Sequence, residues 1–429
     1  MLPSTVIKII ESGSADAIIR DLLAIGPNAL PDYKVRLSGA VDSFCRLYGD
    51  ERDIAVFSVG GRSEISGNHT DHNGGKVIAA AINLDIICVA SKRDDGIIRI
   101  KSEGFEEDVV GESEGDEPDP GKFFKSSSLI AGMKHAFRAR GYFVGGFDAY
   151  TASNVIKGSG LSSSAAFEVA IGKMLSYFYN TNNVDTKEIA LSAQYAENVF
   201  YGKPCGLMDQ LACVTGGLSG IDFSSVTDPA VKSINCDFTK SGLSLCITNT
   251  GSSHSDLSSD YASVAEEMKS VAALFSKSRL CELDRAALDE NSSLIRRELG
   301  DRALLRAFHF FDETERVEKQ IAALESGDTD AFLSLVRESG RSSYCYLQNV
   351  YSPASVNEQS ISFALYLSER FLKDAKAAWR IQGGGFAGTI EAFVPTELAP
   401  SYKEYMEYYF GAGSCKILSV RPAGAVKII

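Results

Sequence analysis

The segment 157–166, with the sequence KGSGLSSSAA, places glycines and serines immediately before a strongly patterned helix. Apolar side chains recur at helical spacing over 161–179, which predicts that helix. Glycines let a ligand approach the backbone, and the free N–H groups at a helix start attract negative charge. A single serine suffices to cap a helix, so three serines behind Gly-Ser-Gly favour a phosphate site. The segment does not match GxxxxGK followed by Ser or Thr, which excludes a P-loop nucleotide hydrolase.

A second glycine-rich segment, 60–75 with the sequence GGRSEISGNHTDHNGG, follows a predicted strand over 54–59. It combines backbone freedom with a cation, carboxylates and imidazoles, which is typical of a turn around a small polar ligand. Two other interpretations stay open at this point: a metal cluster of His69, Asp71 and His72, or a structural turn. The metal interpretation lacks both the HExxH helix spacing and a cysteine.

Two further motifs lie downstream. The sequence CGLMDQ over 205–210 places Asp209 among apolar residues, where a carboxylate serves as a structural hydrogen-bond acceptor or as a base. The sequence QGGGFAG over 382–388 formally matches the dinucleotide fingerprint GxGxxG. That fingerprint must open a helix, whereas residues 389–394 predict a strand. We therefore interpret it as a glycine loop between two extended segments, which can pack against a phosphate.

The order of predicted elements indicates an α+β fold and not a doubly wound parallel sheet. Strands over 86–91 and 97–102 flank an Asp-Gly turn, which predicts a β-hairpin. An amphipathic helix is predicted over 1–23 and another helix over 313–325. Turn-forming and charged residues near 227–240 precede a new strand, so we expect two domains, 1–235 and 236–429.

The charge of the chain limits its partners. Its 429 residues include 43 Lys and Arg against 56 Asp and Glu, a formal net charge of −13. This balance argues against nucleic acid or an anionic membrane as a partner, because both require a positive surface, but it does not exclude small anions. Nine cysteines without a CxxC pair indicate reduced thiols, and no signal peptide or membrane span is predicted, so we expect a cytoplasmic protein. The sequence leaves the oligomeric state open and is compatible with a monomer.

The four motifs, in this order and together with VRPAG over 420–424, resemble the galactokinase family of the GHMP small-molecule kinase superfamily. Segment 60–75 is similar to the signature GR-x-x-x-x-G-E-H-T-D-Y-N-x-G, and GLSSSAA is similar to the superfamily's phosphate loop. The resemblance implies two α+β domains with the active site in the cleft between them. It also implies a phosphotransferase that moves the γ-phosphoryl group of ATP to the anomeric hydroxyl of galactose, with Mg²⁺ as cofactor.

The resemblance also implies residue roles. Asp209 aligns with the catalytic carboxylate, and Arg62 with the arginine that faces it and the transferred phosphoryl group. The implied sugar contacts are Asn68, His69, Asp71 and Tyr261. The implied Mg²⁺ ligands are Ser163 or Ser164, together with Glu197. The residues implied in nucleotide binding are Lys157, Gly158, Ser159, Gly160, Leu161, Ser162, Ser163, Ser164 and Ala165, and those of the glycine loop are Gly383, Gly384 and Gly385.

Two positions depart from the galactokinase signature. Asn68 stands where galactokinases have a glutamate that contacts the sugar's 6-hydroxyl, and His72 stands where they have tyrosine. A neutral residue removes the repulsion of a sugar carboxylate, so galacturonate is an alternative substrate to galactose. Another C6-modified or N-acetylated relative, such as N-acetylgalactosamine, also stays open. A non-catalytic sugar and ATP sensor is a further alternative. The complete serine loop, with Arg62 and Asp209 both present, favours catalysis over the sensor.

Overall fold

The computed structural model describes residues 1–112, 116–155, 160–225, 228–251 and 257–429. Its α-helices are α1 (Pro3–Glu11), α2 (Asp16–Leu23), α3 (Leu30–Tyr48), α4 (Ser126–Ala139), α5 (Ser163–Tyr179), α6 (Thr186–Tyr195), α7 (Met208–Thr215), α8 (Ser258–Leu274), α9 (Arg285–Glu290), α10 (Ser292–Leu299), α11 (Asp301–Ser326), α12 (Thr329–Ser342), α13 (Ser360–Leu372) and α14 (Ala399–Phe410). Its strands are β1 (Ala55–Ser66), β2 (Lys76–Arg93), β3 (Ile98–Ser102), β4 (Glu107–Val110), β5 (Gly146–Ser153), β6 (Leu218–Asp222), β7 (Ala230–Ile234), β8 (Leu243–Asn249), β9 (Ala378–Gln382), β10 (Thr389–Pro395), β11 (Cys415–Leu418) and β12 (Val426–Lys427).

The strands form two sheets. The larger sheet has the order β12-β1-β2-β5-β3-β4, with β6 beside β2 and β7 beside β6, and the smaller sheet has the order β11-β8-β10-β9. The strand pairs are antiparallel except for β3 with β5, which confirms the α+β prediction. The predicted domain division at 235/236 falls between β7 and β8 and stays a prediction. Strand β12, near the end of the chain, returns to the larger sheet.

The β-hairpin predicted for 86–102 is wrong. Strand β5 lies between β2 and β3, antiparallel to the first and parallel to the second. The buried Asp148 of β5 pairs with Arg93 at 3.0 Å and with Arg99 at 3.1 Å, so ion pairs reinforce the backbone pairing of β5 with both strands. A buried carboxylate requires such partners, and they come from the two strands that flank it. The Asp-Gly turn is present, but it separates the strands instead of pairing them.

The two faces of the larger sheet are covered by different helices. Alternate side chains of β1 and β2 point to opposite faces. Val56, Ile87 and Val89 pack in one buried cluster with α1, α2 and α3, whereas Phe57 and Cys88 pack in another cluster with α4, α5, α6 and α7. The single helix predicted over 1–23 is thus two helices, interrupted by Gly13 in a left-handed conformation with φ 78°.

Helix α11 is longer than the predicted helix over 313–325, since it begins at Asp301. Its first half carries the buried polar side chains Arg306 and His309, which interrupt the apolar periodicity used for prediction. Among the described residues, no helix combines the length and the apolar character needed to cross a bilayer.

Candidate active site

The Gly-Gly pair of β1 allows two other segments to approach the strand. A Cβ on Gly61 would lie 2.6 Å from the carbonyl oxygen of Leu161, and one on Gly60 would lie 2.6 Å from the Cδ of Arg421. Both distances are far below a van der Waals contact, so only glycine fits. The backbone N–H of Arg62 donates to the Leu161 carbonyl at 3.1 Å. The serine loop (160–164) is therefore attached directly to the 60–75 motif.

Arg62 and Asp209 form a close ion pair. The Nε and Nη2 atoms of Arg62 lie 2.7 Å and 2.6 Å from Oδ1 of Asp209. Ser162 donates its hydroxyl to Oδ2 of the same carboxylate, and Nη1 of Arg62 donates to the Gly160 carbonyl. Burial alone would raise the pKa of Asp209, but the Arg62 charge and these hydrogen bonds outweigh it and hold that pKa below its usual 3.8. The carboxylate is ionised at neutral pH, and its side chain is 30% exposed.

The serine loop runs directly into α5. Ser162 has a left-handed backbone, with φ 57° and ψ 53°, and α5 begins at the next residue. The Ser162 hydroxyl therefore points to Asp209 instead of capping the helix. Leu161 and Ala165 are buried in the core and anchor the loop. Lys157, Gly158 and Ser159, which were predicted to bind nucleotide, lie outside the described residues.

A polar cluster surrounds Glu197. Its Oε1 accepts from the Ser164 hydroxyl at 3.3 Å and from Lys203 Nζ at 2.9 Å. Its Oε2 accepts from Gln210 Nε2 at 2.9 Å, and the same nitrogen lies 3.3 Å from Oε2 of Glu168. Of the two serines implied as Mg²⁺ ligands, Ser164 is thus the one whose hydroxyl bonds to Glu197. Ser163 opens α5 in a partly buried position.

Lys203, Gln210 and Glu168 were missed by the sequence interpretation. Gln210 adjoins Asp209 in the CGLMDQ motif, and Glu168 follows Ser164 by one helical turn, so spacing alone could have found both. Burial, reinforced by the charge of Glu197, raises the pKa of Glu168 well above its usual value. Lys203 carried no such signal, because it lies in a loop before a proline.

The predicted sugar contacts lie together at the other end of the site. His69 Nε2 is 2.7 Å from the Gly384 carbonyl oxygen, and its ring centroid is 5.2 Å from that of Tyr261. Burial lowers the pKa of His69 to about 4, so the ring is neutral at physiological pH. Asp71 lies against Gly206 of the CGLMDQ loop, where an added Cβ would overlap its carboxylate. His72 Nε2 is 3.8 Å from Oδ1 of Asp71.

A metal cluster at His69, Asp71 and His72 finds no support in the geometry. Across the described ranges, the structure contains no group of three or more His, Cys, Asp or Glu side chains arranged to hold a metal ion.

The glycine loop (383–385) joins the sites described so far. It connects β9 and β10, as predicted, and Gly383 and Gly385 have φ values of 72° and 84°. A Cβ on Gly384 would overlap the Tyr261 hydroxyl. The adjoining Gln382 donates from Nε2 to the Gly160 carbonyl at 3.0 Å. The last residue of β9, directly before the glycine loop, thus bonds to the serine loop.

Asn68 bonds to the glycine loop and is completely buried. Its Nδ2 donates to the Gly383 carbonyl at 2.6 Å and to Oε1 of Glu64 at 2.9 Å. The serine loop, Asp209, the 60–75 motif and the glycine loop are thus linked by direct contacts, while contact of Asn68 with a sugar stays a prediction.

Comparison with known proteins identifies related sequences. Residues 128–217 match the family described as "GHMP kinases N terminal domain", and residues 42–92 match the "Galactokinase galactose-binding signature". A galactokinase of Streptomyces coelicolor is 30% identical over 392 residues, which cover 90% of this chain and 97% of that protein. A galactokinase of Bacillus subtilis is 28% identical over 372 residues, which cover 84% of this chain and 90% of that protein.

Solved structures share the fold. The galactokinase of Lactococcus lactis, crystallised with galactose, superposes with a TM-score of 0.77 at 23% identity, covering 91% of this chain and 100% of that one. The mevalonate kinase of Methanococcus jannaschii superposes with a TM-score of 0.60 at 15% identity, covering 87% of this chain and 98% of that one. The fold is thus that of GHMP kinases. The match over nearly the whole Streptomyces galactokinase shows which family of this superfamily the chain resembles in sequence. The chain belongs to the galactokinase family of the GHMP kinase superfamily.

Proposed function

We propose that this chain is an ATP-dependent galactokinase, which transfers the γ-phosphoryl group of ATP to the anomeric hydroxyl of galactose and releases galactose 1-phosphate and ADP. The observation that carries the proposal is the Arg62–Asp209 pair, which joins the 60–75 motif to the CGLMDQ motif and is bonded to the serine loop. We call Arg62, Asp209, 160–164 and Glu197 the nucleotide end of the site. We call 68–72, Tyr261 and the glycine loop the sugar end.

Asp209 orients the anomeric hydroxyl and receives its proton. Because the pKa of this carboxyl is held low, it is a weak base, and proton transfer comes late, after the new oxygen–phosphorus bond has begun to form. As that bond forms, the bond from the γ-phosphorus to the ADP oxygen breaks and ADP leaves with the electron pair. Arg62 lies beside the carboxylate and stabilises the negative charge of the transferring group.

The nucleotide end fits the phosphates of ATP. The first N–H groups of α5 and the backbone of 160–164 provide donors to phosphate oxygens, which explains how a protein of net charge −13 binds a polyanion. Ser164 and Glu197 present a hydroxyl and a carboxylate 3.3 Å apart, and such hard oxygen donors suit Mg²⁺. When bound there, Mg²⁺ neutralises charge on the β- and γ-phosphates. The serine assigned to this role is Ser164.

The sugar end supplies neutral and anionic hydrogen-bonding groups. Asp71 accepts from sugar hydroxyls, neutral His69 serves as donor or acceptor, and Tyr261 contacts the ring, in keeping with their places around the glycine loop. The Lactococcus lactis relative was crystallised with galactose, which agrees with galactose as the substrate proposed here.

The experiment is a coupled ADP-release assay with galactose, glucose, galacturonate and N-acetylgalactosamine. We expect galactose to give the highest kcat/KM. If galactose is inert while galacturonate or N-acetylgalactosamine turns over, the substrate assignment is wrong and the kinase assignment stands. If calorimetry shows that ATP and galactose both bind but no ADP forms, the chain is a sensor and the kinase assignment fails.

A further inference from the structure

We propose that Glu64 and Asn68 form a buried positioning pair that holds the glycine loop in place beside His69, within the sugar end. The galactokinase signature has a glutamate at the position of Asn68. In this chain the carboxylate of the pair belongs to Glu64 instead. The proposal rests on the proposed function, because it concerns the geometry of the sugar end.

The side chain of Asn68 is fully engaged by the protein. Its two N–H groups donate to Oε1 of Glu64 at 2.9 Å and to the carbonyl of Gly383 at 2.6 Å. Its oxygen accepts from Asn349 Nδ2 at 2.7 Å and from the Ser343 hydroxyl at 3.2 Å. A carboxamide has two donor hydrogens and two acceptor lone pairs, so these four bonds use its whole capacity. Asn68 therefore acts on a sugar through the groups that it holds.

Those groups belong to the sugar end. Gly383 precedes Gly384, whose carbonyl oxygen lies 2.7 Å from His69 Nε2. Asn349 Nδ2 also reaches that carbonyl, at 3.1 Å. The amide of Asn68 thus fixes the glycine loop from below, while His69, the next residue along the chain, contacts the same loop from the site.

Glu64 is held in turn from the smaller sheet. Nη2 of Arg380, on β9, lies 3.0 Å from Oε1 of Glu64, and both side chains are buried. Arg380 also reaches Oε1 of Glu391, on β10, at 3.4 Å. A buried carboxylate requires a compensating charge, and Arg380 provides it. The Glu64–Arg380 ion pair consequently joins β1 of the larger sheet to β9 of the smaller one.

The orientation of the amide follows from its neighbours. Both partners of the Asn68 nitrogen, the Glu64 carboxylate and the Gly383 carbonyl, are acceptors. A glutamate at 68 would present oxygen to both of them and would add a second negative charge beside Glu64. The signature glutamate is therefore incompatible with this chain unless Glu64 becomes a donor, and Glu64→Gln supplies that donor with nearly the same shape.

The experiment is a double-mutant cycle with Asn68→Glu, Glu64→Gln and the double variant, assayed for the KM of galactose and of ATP. We expect Asn68→Glu to raise the galactose KM at least about tenfold, and more than the ATP KM, because two buried carboxylates then repel each other and the glycine loop loses its donor. We expect Glu64→Gln to raise the galactose KM about threefold. The double variant should be clearly less impaired than Asn68→Glu alone, because Glu64→Gln removes the repulsion between the two carboxylates, whereas the Gly383 carbonyl still lacks its donor. Asn183→Glu, in an exposed turn, adds the same charge elsewhere and should leave both constants unchanged.

Two results would overturn the pair. One is an Asn68→Glu variant with an unchanged galactose KM, and the other is a double variant as impaired as the product of the single effects. Thermal unfolding of the four proteins without ligand separates this proposal from the proposed function. If no sugar is phosphorylated, a stability loss in Asn68→Glu that the double variant recovers still supports the pair, whereas an unrecovered loss overturns it. If Asn68→Glu does not fold, a folded double variant supports the pair, and a double variant that also fails to fold overturns it.

Discussion

The two ends of the site are built in different ways. At the nucleotide end, Arg62, Ser162 and Asp209 all belong to β1 and the helices that pack on the larger sheet, and 47 residues separate Ser162 from Asp209. At the sugar end, Asn68 and His69 bond to Gly383 and Gly384, each pair separated by 315 residues. The Arg62–Asp209 pair and Ser162 thus come from the larger sheet and its covering segments alone, whereas Asn68 and His69 reach the glycine loop only where the two sheets meet.

This difference predicts which kinetic constant each end controls. Changes at the nucleotide end remove charge stabilisation or proton transfer and should appear mainly in kcat or in the KM of ATP. Changes at the sugar end displace a loop against its partner and should appear mainly in the KM of galactose. The following predictions test that division, beginning with the largest effect.

Asp209→Asn should lower kcat at least about a hundredfold, because the amide neither accepts the hydroxyl proton nor pairs with Arg62 as an anion. Steady-state kinetics with saturating galactose and ATP measure this effect. Circular dichroism should show an unchanged fold, and Asp237→Asn, on the surface, should be fully active. A folded Asp209→Asn protein with near-normal kcat would remove Asp209 from the mechanism.

Gly384→Ala should lower kcat/KM for galactose at least about tenfold, mainly through KM. The new methyl group would overlap the Tyr261 hydroxyl, so the loop or the tyrosine must move away from His69. The matched control is Gly39→Ala in α3, where an added Cβ meets no atom within 4 Å. An unchanged galactose KM, or an equal rise in the ATP KM, would contradict the division between the two ends.

Lys203→Met should raise the KM of ATP about two- to fivefold and leave the galactose KM unchanged. Lys203 Nζ lies 2.9 Å from Glu197, but its side chain is 54% exposed, so solvent screens its contribution to about 1 kcal/mol or less. Lys232→Met removes a comparable exposed lysine, which pairs with Glu325 at 2.7 Å, and serves as control. An ATP KM equal to that of the control would exclude Lys203 from the nucleotide end.

Protonation of His69 should weaken the fold in acid. Its pKa is about 4 in the native state against 6.5 ordinarily, so the unfolded chain binds more protons between these values. The free energy of unfolding should therefore fall as the pH falls from 6.5 to 4, by up to about 3 kcal/mol from this residue. Urea unfolding at several pH values measures the slope, which His69→Gln should reduce. An equal slope in His69→Gln would contradict the assignment.

Much of the nucleotide end could be predicted from local sequence. The glycines and serines of the serine loop specify a turn into a helix start, and the Gly-Gly pair of β1 indicates a close backbone approach. The resemblance to galactokinases then added Asp209 and Arg62. Lys203 escaped prediction because nothing in a loop sequence indicates which carboxylate a flexible lysine will meet.

The sugar end could be predicted only in part. The motif residues His69 and Asp71 were identified, and so was the extended character around the glycine loop. The partners of Asn68 were not, because Glu64, Asn349 and Ser343 show no periodicity that connects them. The hairpin prediction failed for a related reason, since β5, distant in sequence, pairs with two strands that are adjacent in sequence but not in the sheet.

The sequence by itself indicated the α+β class, the order of the motifs and the close backbone approach at their glycines, since each depends on residue types and periodicity within short segments. The tertiary structure decided which buried charges face one another. Glu64 and Arg380 meet across 316 residues because two sheets pack together, and a buried carboxylate is stable only where that packing brings a partner. The segment that looked in sequence like a divergent signature is, in the folded chain, a junction between the two sheets.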